Sequence, residues 1–245
     1  AAAGVVSITF DVVFSEPERN MADELAAGMT DNTVAATLRQ LAPDFDYNRR
    51  MAESISKIDV TLGYVLHREA FSNGALPPSN IDLDPALVRR SFVEAYSGST
   101  ANIPVLQQAV RGQGFINGPP DPDGIVRRAP LVLRHGDQLY PSLALQTAMT
   151  YLLLDRVAPD VISENGDVYI QGIVLGDKLI RTDQAGQMLV PYRGRQGSFP
   201  YISAVDVLTG KADSSLLAGS IAMVGTSAIG LVDLRTTPVG AMFPG

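Results

Sequence analysis

The chain contains no cysteine, which removes disulfides, thiol nucleophiles and thiolate metal sites at once. The redox compartment stays open, because a cysteine-free chain is at home in oxidising or reducing surroundings. Histidine is nearly as scarce. His67 and His135 lie far apart in sequence and in no metal-ligand spacing, so each reads as an ordinary surface or satisfied residue and neither zinc nor haem is expected. Positive charge is in deficit: 19 Lys and Arg against 26 Asp and Glu give a net charge of −7. That balance argues against nucleic acid and anionic lipid as partners, since both need clustered cations. Long hydrophobic runs are missing as well. The most apolar stretch, Leu143 to Leu154, is interrupted by Gln146, Thr147 and Thr150 and falls short of the roughly 20 residues of a bilayer span. The first residues are apolar but carry no basic region or cleavage pattern, so no signal peptide is read there. As it stands, the chain reads as a soluble piece.

What is present is enough apolar material for a substantial core: 46% of the 245 residues are hydrophobic and 18% charged. One large α/β domain, or two intimately packed lobes, is the expectation. Gly4 to Phe14 is a nearly continuous apolar, β-rich run, as in a strand covered on both faces. Ser15-Glu16-Pro17-Glu18 then carries helix-start chemistry. Helices are predicted over Met21 to Leu25, Val34 to Leu41 and Tyr47 to Lys57, followed by a strand over Asp59 to Leu66. Strand, helices, strand is the order of a parallel crossover.

Phe71 to Pro85, rich in Pro, Asn, Ser and Gly, reads as an excursion loop. Pro104 to Val110 reads as a short helix with Asn102 as its cap, and Leu143 to Leu152 as a stronger one capped by Ser142. The turn Asp121-Pro122-Asp123-Gly124 has type I chemistry, and its flanks, Phe115-Ile116 and Ile125-Val126, predict an antiparallel hairpin. Asp183-Gln184-Ala185-Gly186 predicts a second hairpin between Leu179 to Thr182 and Met188 to Arg193. Ser203 to Leu208 reads as a short helix closed by Gly210, and Ser220 to Gly225 as a buried strand ending in a small-residue loop.

Six ordered motifs carry a resemblance that spans nearly the whole chain. They are Phe10-Asp11-Val12-Val13-Phe14-Ser15-Glu16-Pro17; Gly114-Phe115-Ile116-Asn117 with Asp121 to Arg128; Tyr140-Pro141-Ser142-Leu143-Ala144; Tyr192-Arg193-Gly194; Asp206-Val207-Leu208-Thr209-Gly210; and Val224-Gly225-Thr226-Ser227-Ala228 with Gly230, Leu231, Asp233, Thr237 and Pro238. Together they resemble the second type of CHASE domain, the extracellular sensory domain associated with cyclases and histidine kinases.

The resemblance implies a three-layer α/β fold with a mainly parallel sheet, flanking helices and added antiparallel hairpins. It implies one extracytoplasmic sensor domain over 1–245, lacking the family's first strand and helix and its C-terminal segment to the membrane. The location implied is the periplasmic or extracellular side of a bacterial inner membrane. The parent implied is a membrane-anchored receptor whose cytoplasmic output is an adenylate or guanylate cyclase, with a histidine kinase or serine/threonine kinase as the alternative. If the family's first strand is central to the sheet, the edge beside Val5 to Phe14 needs a cover, and a partner chain or a further segment is expected there.

Open parallel sheets receive ligands at the carboxyl ends of their strands. Asp11, Glu16, Thr226, Ser227 and Asp233 fall at or just after such ends, with Arg193 to balance the acids, and these six are the expected ligand-binding residues for an unknown small-molecule or protein signal. The competing reading is that they cap helices and tie loops. No catalytic residue, metal or cofactor is expected. Gly225 to Gly230 superficially resembles a hydrolase nucleophile elbow around Ser227, but Ile229 stands where glycine is needed and no histidine follows, which leaves a serine hydrolase as a distant alternative. The Asp121 turn resembles the start of a calcium loop, yet Ile125, Arg127 and Arg128 supply no oxygen ligands, and the arginines are expected to be a solvated pair or partners of Asp121 and Asp123. Because output domains of this kind work in pairs, a homodimer through this domain is also expected.

Overall fold

The computed structural model describes residues 4–195, 197–226 and 234–244. The first half of the chain runs β1 (Ser7–Phe10), α1 (Met21–Gly28), α2 (Asn32–Leu41), α3 (Tyr47–Ile55), β2 (Asp59–His67), β3 (Ser72–Asn73), α4 (Pro85–Arg89), β4 (Ala95–Tyr96), β5 (Gly98–Thr100), α5 (Pro104–Gln107) and β6 (Gly112–Phe115). The second half adds β7 (Arg128–Pro130), β8 (Val132–His135), β9 (Gln138–Pro141), α6 (Leu143–Tyr151), β10 (Ala158–Glu164), β11 (Asp167–Leu175), β12 (Lys178–Arg181) and β13 (Gln187–Leu189). It closes with α7 (Ala204–Leu208), β14 (Ile221–Val224), β15 (Leu234–Thr237) and β16 (Gly240–Pro244).

Short polar side chains start the helices by accepting otherwise unpaired N–H groups. Asn20 accepts from Ala22 at 3.1 Å, Asp31 from Thr33 at 2.8 Å, Asp46 from Arg49 at 2.9 Å and Ser142 from Leu145 at 3.1 Å. The first helix therefore begins at Asn20, later than Ser15 to Glu18, whose residues lie in the coil between β1 and α1.

Four parallel strands form the centre of the fold in the order β14, β1, β2, β6. The crossover expected between β1 and β2 is present, with Phe10 in register with Leu62. Beyond Phe10 the chain peels away, and β5 runs antiparallel along the last residues of β2, from Val65 to His67. Asn102 clasps this split. Only 1% exposed, it accepts the Phe14 N–H at 2.8 Å and donates to the Gly63 carbonyl at 2.8 Å and to Gln113 Oε1 at 3.2 Å. It does not cap the following helix as the sequence suggested; Ile103 occupies the cap position, and α5 begins with Pro104, whose missing N–H costs nothing there.

On one face of the sheet, Val60 and Leu62 pack on Ala52 and Ile55 of α3 and on Ile103 and Leu106. The opposite face is covered by α6, where Thr147 and Thr150 make buried hydroxyl bonds to Thr9 at 2.9 Å and to Thr61 at 3.1 Å. The same helix turns Leu145 and Met149 into a second core with Val132, Leu139, Ile170 and Ile173 of the antiparallel sheets. Close approach of helix to sheet rests on Gly114: a Cβ there would lie 2.6 Å from backbone atoms of Ser142 and Leu143.

Both predicted hairpins are corrected. The two turns form, with Gly124 N–H donating to Asp121 O at 2.8 Å and Gly186 N–H to Asp183 O at 3.0 Å. Their flanks pair elsewhere: β6 lies parallel to β2, Ile125 bridges Thr236, β12 joins β11, and β13 joins β7. The expected cover for the Val5 to Phe14 edge is supplied by this chain's own β14, which pairs with all four residues of β1, so that edge needs no partner chain. In consequence β14 sits at the rim of the sheet, and it is not the buried strand anticipated: Met223 is 65% exposed.

Candidate functional site

The polar residues anticipated from sequence distribute over separate places. Asp11 directly follows β1 and Thr226 follows β14 by one residue, and these strands are parallel neighbours. Asp11 donates its backbone N–H to Val224 O at 2.9 Å, and a Cβ on Gly225 would lie 3.6 Å from that of Asp11. The two therefore share the carboxyl end of the sheet, as strand polarity requires. Glu16 is exposed five residues along the coil. Arg193 stands apart, its guanidinium 5.8 Å from the centre of the Phe199 ring. Ser227 and Asp233 lie outside the described residues.

Around the Asp121 turn, Arg127 bonds Asp123 at 2.8 Å and Asp121 at 3.1 Å, and Arg128 reaches Asp121 at 3.1 Å. The arginines pair with both acids as expected, and the Arg127 hydrogen bond holds the Asp123 carboxyl below its ordinary range. Among the described residues no group of three or more His, Cys, Asp or Glu could hold a metal ion.

A different place gathers buried polar groups. A cavity of about 330 Å³ opens beside β6, walled by that strand, α6, the end of β9 and the Pro77 to Asn80 part of the excursion loop. Apart from a single bridge between Phe115 and Ser142, β6 pairs among the described residues with β2, so Gly112 and Gln113 present an unladdered edge to the cavity. Tyr64, from β2, is fully buried, and its hydroxyl meets no hydrogen-bond partner among the described residues. Burial, followed by the nearby Tyr140, pushes its phenol well above the ordinary range, so it is a neutral O–H at physiological pH. The two rings meet edge to face at 6.4 Å.

Two glutamines complete the polar wall. Gln146, 3% exposed, lies over Gly112, where a Cβ would come within 2.4 Å of its Nε2, and its Oε1 accepts from Asn80 at 2.7 Å. Gln113, 9% exposed, uses its Oε1 for Asn102. The orientation of Gln113 follows from the backbone: the Phe14 N–H requires the Asn102 oxygen, the Gly63 carbonyl requires its NH₂, and that NH₂ then requires the Gln113 oxygen. Arg111 stands on the wall with one ion-pair partner, Asp155, at a long 3.4 Å. Sequence reading did not find this site. Its signals were Gly112-Gln113-Gly114, which marks close approach in a strand, and the lone Gln146 in an apolar helix.

Comparison with known proteins places the chain. The family model of the CHASE2 domain matches residues 1–245, and the chain belongs to that family. It is the second type of CHASE domain, an extracellular or periplasmic sensory domain of receptors associated with cyclases and kinases, and a sensor rather than a catalyst. No curated protein and no solved structure matches it. No helix among the described residues is long and apolar enough to cross a membrane.

Proposed function

We propose that this chain is the signal-receiving domain of a bacterial transmembrane receptor, placed on the periplasmic or extracellular side of the inner membrane. It regulates a cytoplasmic adenylate or guanylate cyclase. The observation that carries this reading is the family match along the whole chain. The polar cavity at β6 supports a small molecule as the signal, since a concave pocket with a few convergent polar groups suits a small ligand better than a protein surface. The carboxyl end of β1 and β14, with Asp11 and Thr226, is the second receptor surface in this reading. Cyclase domains act in pairs, so two copies of the receptor associate, and the signal favours one arrangement of the pair over the other.

The test is cyclic-nucleotide formation in membranes from cells expressing the full-length product of the gene that encodes this chain. Activity that changes when Gly114→Val disrupts the domain is the expected result. Histidine autophosphorylation without cyclic nucleotide would move the output to a histidine kinase, and output indifferent to the domain's integrity would end the sensory reading.

A further inference from the structure

We propose that the cavity beside β6 binds a small organic carboxylate through Tyr64, Gln113, Gln146 and Arg111. The inference rests on the sensory reading above and names the class of molecule that the domain receives.

The wall is built to donate. Both glutamine oxygens are consumed by neighbouring asparagines, Asn102 for Gln113 and Asn80 for Gln146, and neither amide NH₂ has an acceptor among the described residues. The Tyr64 hydroxyl is buried and has no protein partner either. A buried polar atom left without a partner is costly, and here that atom is the Tyr64 hydroxyl; the two amide NH₂ groups stand open to the cavity beside it and can turn to the same acceptor. Arg111 adds one positive charge, and Asp155, also on the wall, carries one negative charge beside it. The Arg111 side chain is 34% exposed, whereas that of Asp155 is 88% exposed, so their long contact is weak and easily exchanged for a better acceptor. A carboxylate meets these demands with two oxygens and one negative charge. A phosphate would bring a second charge with no second cation on the wall to balance it.

Pro77, Pro78, Val110 and Leu154 give the remaining wall an apolar character that suits a short hydrocarbon or aromatic body. The volume of about 330 Å³ sits at the low end for ligand pockets and limits the body to a small one.

The experiment is a thermal-shift titration of the chain with lactate, isovalerate and benzoate, each paired with its uncharged amide. At least one acid should raise the melting temperature in a saturable way while its amide does not. Tyr64→Phe and Arg111→Gln, both checked for native circular dichroism, should each weaken that acid's binding by about tenfold or more, the loss of a bond to a charged group. Three results overturn the proposal: equal shifts from acid and amide, no shift from any acid, or a shift that survives both substitutions. None of these touches the membrane assay of cyclic-nucleotide formation, which would still respond to the domain's integrity. Failure of the site is thereby separated from failure of the sensory reading.

Discussion

At the carboxyl end of β1 and β14 the polar groups stand at the surface: Glu16 and Thr226 are exposed and Asp11 is half-buried. Beside β6 they are inside: Tyr64, Gln113 and Gln146 are buried residues, and the Tyr64 hydroxyl meets no partner among the described residues. At a surface, water satisfies a hydroxyl or carboxylate at little cost, so polarity there says little about purpose. In the interior every unpaired donor opposes folding, and its persistence asks for a reason. The rule that ligands gather at carboxyl strand ends directs attention to the first place. Burial and hydrogen-bond supply direct it to the second.

The largest test of that contrast compares two glycines. Gly114→Val should cost about 3 kcal/mol or more, because its Cβ would stand 2.6 Å from the backbone of Ser142 and Leu143, which cannot swing aside. Gly225→Ala, with Asp11 Cβ as its nearest described neighbour at 3.6 Å, should stay within about 1 kcal/mol. Urea denaturation of both variants checks the pair, and equal losses would erase the distinction between the two ends of the sheet.

Next in size, Asn102→Ala should lose about 2–4 kcal/mol, since it strands the Phe14 N–H, the Gly63 carbonyl and the Gln113 oxygen in a buried place. A loss below about 1 kcal/mol would mean that solvent reaches the split between β1 and β2. Tyr64→Phe should leave the unliganded protein unchanged or stabilise it by up to about 1 kcal/mol, because the hydroxyl removed has no protein partner. Clear destabilisation in the same denaturation experiment would show that the hydroxyl has a structural task.

The smallest effect concerns acid. The Arg156 hydrogen bond, 2.7 Å from Nε to Oδ1, lowers the Asp82 carboxyl below its ordinary value. A carboxyl depressed in the folded state contributes stability above its unfolded pKa, and the contribution is lost as pH falls through the folded value, here below about pH 4. Asp82→Asn should therefore flatten the acid limb of the stability profile slightly, the pair being 53% exposed on both sides. An unchanged limb would assign acid sensitivity to other carboxylates.

The sequence carried local chemistry better than partnership. The Ser142 cap, the helix expected over Tyr47 to Lys57 and found over Tyr47–Ile55, the strand expected over Asp59 to Leu66 and found to His67, and the parallel crossover could be read from caps and apolar patterning, which act within a few residues. The Asp121 and Asp183 turns were legible too, but a turn does not choose what its flanks pair with. β7 meets β13 some sixty residues on, a choice made by packing across the whole domain. A true hairpin passed unnoticed: Asn165 and Gly166, both at positive φ, join β10 to β11 by the most favoured two-residue turn. The cavity was hidden for a related reason. Its groups come from five stretches of chain, and Tyr64 within a strand reads as a core aromatic until its hydroxyl is followed.

Helix α6 has almost no face left for water, with Leu143, Leu145, Gln146, Thr147, Met149 and Thr150 all buried between the parallel sheet and the antiparallel layers. It acts as a keystone: neither half of the domain can loosen without uncovering one flank of it. Melting should accordingly be a single cooperative event spanning both halves, and a molecule that grips Gln146 would be felt on each side of the arch.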